Sequence, residues 1–412
     1  MEGSRTGRPA AALRQILLKV HGRCNLACDY CYVYEHADQG WRRRTGVMSR
    51  AVVDRAADRI AAHVEERDIS GVRIVLHGGE PLLAGASFID YGADRIRRSV
   101  RASTRVAIGV QTNGTLLDET FLDVFHQHDI TVGVSVDGDP AANDRHRRYT
   151  DGRSSYRRVA RGIALLNQQR HRSRFAGLLC TIDLANDPVA TYESLLAFAP
   201  PRLDLLLPHG NWQAPPPGRL PGSPATPYAD WLIAVFDRWY DAPRRETDIR
   251  LFSSAISLLL GGPGGSEVIG PDPTDLVVVE TDGTIEQHDA LKTTVDGGAA
   301  TGLSVFDNSF DDVLAHPGWR TGRGGTGLGS TCRACPIVRV CGGGLRAHRF
   351  DPRHGFDRPS VYCPDLLTLI THIRRRLAGD LDALRSAGTG ATAGVRAGAG
   401  TGTDPVDGCA ST

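Results

Sequence analysis

The chain has 412 residues and a formal net charge of +1, from 48 basic and 47 acidic side chains, and it exceeds the size at which single cores usually stop growing. Charge balance argues against nucleic acid as the main partner, and no segment reaches the roughly 20 apolar residues of a membrane span or has the apolar core of a secretory signal. Nine cysteines in such a chain point to reduced thiols with ligand or catalytic roles, and to a cytoplasmic protein.

Runs rich in Val, Ile and Leu recur at Gln15–Val20, Val72–His77, Arg105–Val110, Ile130–Val136, Ala176–Ile182 and Leu203–Leu207. Continuous apolar runs of this length suit strands buried on both faces of a parallel sheet. Helical stretches alternate with them at Ser49–Glu66, with Ser49 as N-cap, and at Phe88–Val100, Asp118–Gln127, Tyr156–Gln169 and Pro188–Phe198. Strand–helix alternation gives right-handed βαβ units with chemistry at the C-terminal strand ends. The class is therefore α/β, a partial (β/α)6 TIM-type barrel. A Pro/Gly-rich stretch over 215–227 breaks the pattern, followed by helices at Tyr228–Tyr240 and Leu251–Leu260. Val277–Glu280 and Thr284–Gln287 flank Asp282-Gly283, a strong hairpin signal. A last helix is expected from Pro364 to Arg385. Residues 387–412, including Cys409, carry too little apolar surface to offset their ordering entropy and are expected to be disordered.

Chemistry gathers at the strand ends. Cys24, Cys28 and Cys31, at C-x3-C-x2-C spacing, follow the first run. Three thiolates from one loop suit a cubane cluster with one iron left open, whereas structural zinc wants four ligands. The second run ends in His77-Gly78-Gly79-Glu80-Pro81, the third in Gln111-Thr112-Asn113-Gly114 and the fourth in Ser135-Val136-Asp137-Gly138. Each is also a good turn sequence; paired glycines additionally let backbone approach a ligand. Near the C-terminus Cys332, Cys335, Cys341 and Cys363 read C-x2-C-x5-C-x21-C, a set that satisfies either zinc or a fully ligated [4Fe–4S] cluster.

The Cys24–Tyr32 wording, followed by Gly78-Gly79-Glu80-Pro81, resembles the radical S-adenosylmethionine (radical SAM) enzymes. Ser135-Val136-Asp137-Gly138 with Asn143-Asp144-Arg145-His146-Arg147 is similar to the stretch found in their peptide-modifying branch, although Asn143 stands where that branch often has His. The resemblance implies that Gly78, Gly79 and Glu80 hold the methionine amino group. It puts Asn113, Ser135, Asp137 and Arg147 at SAM, with Ser135 and Arg147 against its carboxylate or ribose. Tyr30 and Leu206 would border the adenine, Leu206 being equally a core residue. It further implies reductive SAM cleavage to a 5′-deoxyadenosyl radical that takes a hydrogen from unactivated carbon. The late cysteines resemble a SPASM domain. Members usually hold two auxiliary clusters, but here His288 and Leu345 occupy positions that resemble cluster cysteines. One auxiliary [4Fe–4S] cluster is expected, on Cys332, Cys335, Cys341 and Cys363, making two in all with the SAM-binding one.

Lys19-Val20-His21, Tyr32–Trp41, Leu205–Trp212, Glu280–Lys292 and Pro359–Cys363 resemble maturases of FxSxx-COOH peptide clusters, among the three-residue cyclophane-forming enzymes. That group joins the β-carbon of one residue to an aromatic ring two positions earlier in a ribosomal precursor peptide. By this resemblance Asp289 or His288 accepts the proton released on rearomatisation and the auxiliary cluster accepts the electron; Asp289 is otherwise an ordinary turn residue. A flexible N-terminus (1–12), barrel (13–227), helical linker region (228–272), SPASM-like Fe–S domain (273–386) and disordered tail (387–412) are expected. Few residues precede the first strand, so a leader-gripping winged-helix domain is not expected and a separate leader-binding protein is a candidate partner. An electron donor such as ferredoxin or flavodoxin completes the expected partners. Other peptide radical chemistry (thioether formation, epimerisation, formylglycine-type oxidation) is the nearest rival.

Overall fold

A computed structural model describes residues 12–220, 222–271, 275–320 and 327–392. Residues 1–11 of the N-terminus expected to be flexible and the tail beyond 392, with Cys409, lie outside the described residues. Six parallel strands form in the expected places: β1 (Gln15–His21), β2 (Gly71–Gly78), β3 (Arg105–Thr112), β4 (Ile130–Ser135), β5 (Phe175–Thr181) and β6 (Arg202–Leu206). They pair in chain order, β1 with β2 through to β5 with β6. Residues from β1 and from β6 line one cavity of about 310 Å³, so the sheet curves around it.

The sheet does not stop where the barrel sequence does. A two-residue strand, β7 (Asp248–Ile249), pairs with β6, and β8 (Leu276–Val279) pairs parallel to β1. The hairpin partner β9 (Thr284–Glu286) and then β10 (Ala300–Ser304) follow antiparallel. One ten-stranded sheet thus runs from β10 through β1 to β7. Val277, Val278 and Val279 are wholly buried, each contributing about 1.5–3 kcal/mol of apolar transfer. That burial draws the hairpin onto the barrel wall and brings Glu280, Glu286 and Asp289 to the end of β1.

Helices α1 (Arg50–Glu66), α2 (Ala86–Ser99) and α3 (Glu119–Gln127) cover the outside. Ser49 caps α1 by accepting from the Val52 amide, and Asp118 caps α3 at the Phe121 amide. A helix the apolar pattern did not mark, α4 (Pro140–His146), follows β4. It is only seven residues long, too short for a periodic stripe, and its signal is local: Asp139 accepts from the Ala142 amide and Pro140 occupies the first turn. Helices α5 (Tyr156–Leu166), α6 (Pro188–Leu196), α7 (Pro227–Tyr240) and α8 (Arg250–Leu259) complete the outer layer. The C-terminal helix, Cys363–Thr392, includes residues 387–392, which composition assigns to the disordered tail; once a helix is nucleated each further residue adds a bond at little cost. Among the described residues no helix is long and apolar enough to cross a membrane.

Candidate functional site

The loop leaving β1 carries the three cysteines, folded so that the Cys31 amide donates to the Cys28 carbonyl at 3.1 Å. Burial comes first among the causes that push Cys24 up to about 12 and Cys28 up to about 11, and neighbouring cysteines add to it. Thiols held protonated by burial and by each other become good ligands only when a cation replaces the protons. The donor set therefore fits a thiolate-bound metal cluster. The end of β2 lies against this loop. The Gly79 amide donates to the His21 carbonyl at 2.8 Å and the Glu80 amide to the Arg23 carbonyl at 3.0 Å. A Cβ on Gly79 would lie 1.9 Å from Tyr34 Oη, and one on Gly78 (φ +146°) 2.1 Å from the His21 carbonyl. Only glycine permits that approach.

Glu80, fully buried, accepts from Thr112 Oγ1 at 2.6 Å, the Asn113 amide at 2.7 Å and the Leu82 amide at 3.0 Å. It locks the end of β3. From there Asn113 Nδ2 donates to Asn25 Oδ1 at 2.8 Å and lies 3.7 Å from Cys24 Sγ. Asn25, a polar residue between the first two cysteines with no motif signal of its own, thus ties that loop to the end of β3.

A second constellation joins the fourth strand end to the loop. Tyr30 donates to Asp137 Oδ2 at 2.5 Å, Arg147 Nη1 donates to the Tyr30 hydroxyl at 2.7 Å, and the Thr181 amide donates to Asp137 Oδ1 at 3.0 Å. Burial raises Asp137, opposed by Arg147. Arg147 Nε is buried and unpaired among the described residues. Ser135 stands apart from this group and accepts from Gln111 Nε2 at 3.0 Å. Leu206 lines the cavity and is partly exposed to it.

Asp289 lies in a buried ion network. Lys19 bridges Asp289 Oδ1 at 2.9 Å and Glu280 at 3.2 Å, while Lys292 bridges Glu280 at 2.9 Å and Glu286 at 2.5 Å. Arg44 binds Glu280 and Glu286. Glu280, Glu286 and Asp289 converge as three carboxylates could around a metal, but three cations already neutralise them. Burial pushes the Asp289 carboxyl up; Lys19 and Lys292 outweigh it and hold Asp289 below the usual carboxylate range. Tyr32 donates to its other oxygen at 3.3 Å. His288, by contrast, has both ring nitrogens engaged: Nδ1 accepts from the Ala290 amide and Nε2 meets Glu267 at 2.8 Å. Lys19 is a buried charged residue in a strand whose middle, Ile16 to Val20, is otherwise apolar. Lys19→Met leaves Asp289 without its cation, and the expected loss is about 3–5 kcal/mol. A chemical-denaturation midpoint equal to that of the parent would refute the network's structural weight.

The four late cysteines are brought together as well. Cys341 is raised to about 12, first by burial, then with Cys363, Cys332 and Cys335 among its contributing neighbours. None is in a disulfide. Four thiols, Cys332 buried and Cys335, Cys341 and Cys363 half-buried, fit a fully ligated metal site. Cys180 sits apart, buried in β5.

The fold so described is the radical SAM fold, and residues 18–184 match the family described as the Radical SAM superfamily. Among curated proteins, the chain is 26% identical over 277 residues to a serine-type anaerobic sulfatase-maturating enzyme of Bacteroides thetaiotaomicron, covering 63% of this chain and 65% of that protein. It is 32% identical over 185 residues to the serine-type enzyme of Klebsiella aerogenes, covering 44% of each. The matched segments thus span less than two thirds of these relatives' length. The solved structure of native anSMEcpe with bound AdoMet and Kp18Cys peptide superposes with a TM-score of 0.76 at 22% identity, covering 90% of this chain and 99% of that one.

Proposed function

We propose that this protein is a radical SAM maturase that crosslinks a ribosomally made precursor peptide, forming a three-residue cyclophane. The carrying observation is the three-cysteine loop at the end of β1, bound on one side to Glu80 and Asn113 and on the other to Tyr30, Asp137 and Arg147. Cys24, Cys28 and Cys31 would hold a [4Fe–4S] cluster with one open iron, and Cys332, Cys335, Cys341 and Cys363 a second, closed one. When bound there, cluster and SAM supply a 5′-deoxyadenosyl radical. Everything else falls to the protein. Arg147, with a guanidinium nitrogen still unpaired, is suited to a carboxylate. The segment Gly78–Glu80 would hold the amino group, and Ser135 the carboxylate or ribose. Leu206 and the cavity wall keep the reacting carbon away from water. Asp289, ionised beside Lys19, would accept the proton given up when the ring regains aromaticity, and the closed cluster, once bound, would take the accompanying electron.

Formylglycine-type oxidation of a Ser or Cys is the second reading, favoured by the names of the sequence relatives. The two separate on the product. Co-expression with a candidate precursor peptide is expected to give a peptide lighter by two hydrogens. It should resist fragmentation between an aromatic residue and its neighbour two positions on, and should not react with a hydrazide. A hydrazide-reactive aldehyde would replace the crosslinking reading with the oxidation reading.

A further inference from the structure

The lumen of the barrel is open where a barrel is ordinarily filled. A (β/α) barrel packs its interior with layers of bulky branched side chains. Here three neighbouring strands contribute glycines instead: Gly109 of β3, Gly133 of β4 and Gly177 of β5 all line the cavity of about 310 Å³. The space runs from His77 and Asp289, beside the C-terminal strand ends, to Gln15, Arg73 and Arg202 near the opposite ends of β1, β2 and β6. Along β2, Arg73 stands four positions before His77, about 13 Å at about 3.3 Å per residue.

The lower part of this space is short of negative charge. Arg73, Arg202 and Arg250 all line it. Arg250 pairs with Asp204 and lies 3.9 Å from Glu267 Oε1, while Glu267 Oε2 meets His288 at 2.8 Å. Arg202 reaches Asp248 at 3.4 Å, a carboxylate it shares with Arg245 at 3.9 Å. Arg73 has no acidic partner among the described residues. Burial, the largest cause, lowers it, and the charges of Arg250 and Arg202 lower it further. Arg250 Nε is buried and unpaired among the described residues as well. Arginines scattered over a surface need no partner, because water and salt screen them. Guanidiniums gathered on one concave wall repel each other and focus a positive potential into the space they line. That potential calls for an anion.

We propose that Arg73, with Arg202 and Arg250, forms a subsite for a carboxylate of the peptide substrate, held low in the lumen while the reacting residue stays at the mouth. The planar guanidinium fork matches a carboxylate in bidentate geometry. Gln15, directly across from Arg73 on β1, adds an amide donor, and the glycines of β3, β4 and β5 leave room for peptide backbone above. The carboxylate has two sources, the C-terminus of the peptide or an Asp or Glu side chain. This inference rests on the peptide-maturase reading but not on the crosslink. A hydrazide-reactive product would remove the crosslink and leave the subsite standing.

The probes are N-acetyl hexapeptides of alanine with one Phe in second place. They are made as the free acid, as the C-terminal amide, and as that amide with Glu in last place. Each is titrated calorimetrically, with SAM and without reductant, into protein carrying both reconstituted clusters. The expected result is a preference over the plain amide of at least about tenfold, the effect of one hydrogen bond to a charged group. Shown by the free acid, it assigns the subsite to the C-terminus; shown by the Glu amide, to a side chain. Arg73→Gln should erase the preference and leave the plain amide bound as before. Arg73 has no acidic partner to lose, so the variant should keep its iron; should it not, Arg202→Gln is read in its place and should reduce the preference. Wild type that binds the three probes alike, or binds none, overturns the proposal. So does a preference that survives Arg73→Gln undiminished.

Discussion

Cys24→Ala is expected to abolish formation of 5′-deoxyadenosine while leaving the protein folded and about half of its iron in place. Cys24 is the cysteine nearest the third strand end, 3.7 Å from Asn113 Nδ2. Two remaining thiolates cannot hold a cubane whose fourth iron is already without a protein ligand. The four-cysteine site at the other end of the chain shares no ligand with it and should keep its cluster. Iron should therefore fall from about eight to about four per chain, by the arithmetic of two four-iron clusters. SAM cleavage should drop to the uncatalysed background, a fall of at least about 10⁶-fold by the usual span of enzymatic acceleration. Retained cleavage in the Cys24 variant would move the reactive cluster to the late cysteines and dissolve the site described above.

Asp289→Asn should separate the two halves of the reaction. The substitution keeps shape, removes the carboxylate that accepts a proton and leaves Lys19 paired with Glu280, so some stability is lost but SAM should still be cleaved. Crosslinked product should fall by about 10²–10⁴-fold, the usual contribution of a positioned general base. The sign of the Asp289 shift matters here: Lys19, at 2.9 Å, keeps the carboxylate ionised well into mildly acidic solution. Activity limited by this group should therefore stay flat at neutral pH and decline only on acidification below the ordinary carboxylate range. Unchanged product yield from Asp289→Asn would reduce Asp289 to the role of counter-ion for Lys19. His288 is the weaker candidate because both its nitrogens are engaged.

Most of the architecture was legible from apolar runs. β1 carries Ile16, Leu17 and Leu18 in an unbroken row, β3 and β4 set Val and Ile at alternate positions with Ala, Gly or Thr between them, and the six parallel strands fall where these apolar runs are. The site elements at the strand ends were legible for a different reason: paired glycines and Asp-Gly recur along the chain and mark little singly, but a C-x3-C-x2-C loop followed one βα unit later by Gly-Gly-Glu-Pro marks its positions jointly. What escaped was whatever depends on distant segments meeting. Arg73, Arg202 and Arg250 read as isolated basic residues, the first and last of them 177 positions apart in the chain. Only the curvature of the sheet brings them to one cavity. Lys19 reads as a polar interruption of β1 until β8 pairs alongside and carries Glu280 to it. Nothing in the composition shows that the hairpin continues the barrel sheet, because a hairpin signal specifies its own pairing and not its neighbour.

The most direct measurement of the central claim is isotope transfer. The precursor peptide, deuterated at the β-carbon of the residue two positions after its aromatic partner, is incubated anaerobically with reconstituted enzyme, SAM and a reductant. The account predicts one deuterium in the 5′-deoxyadenosine and a product that has lost that deuterium and one ring hydrogen. 5′-Deoxyadenosine free of deuterium, alongside a modified peptide that keeps its β-deuterium, would contradict it.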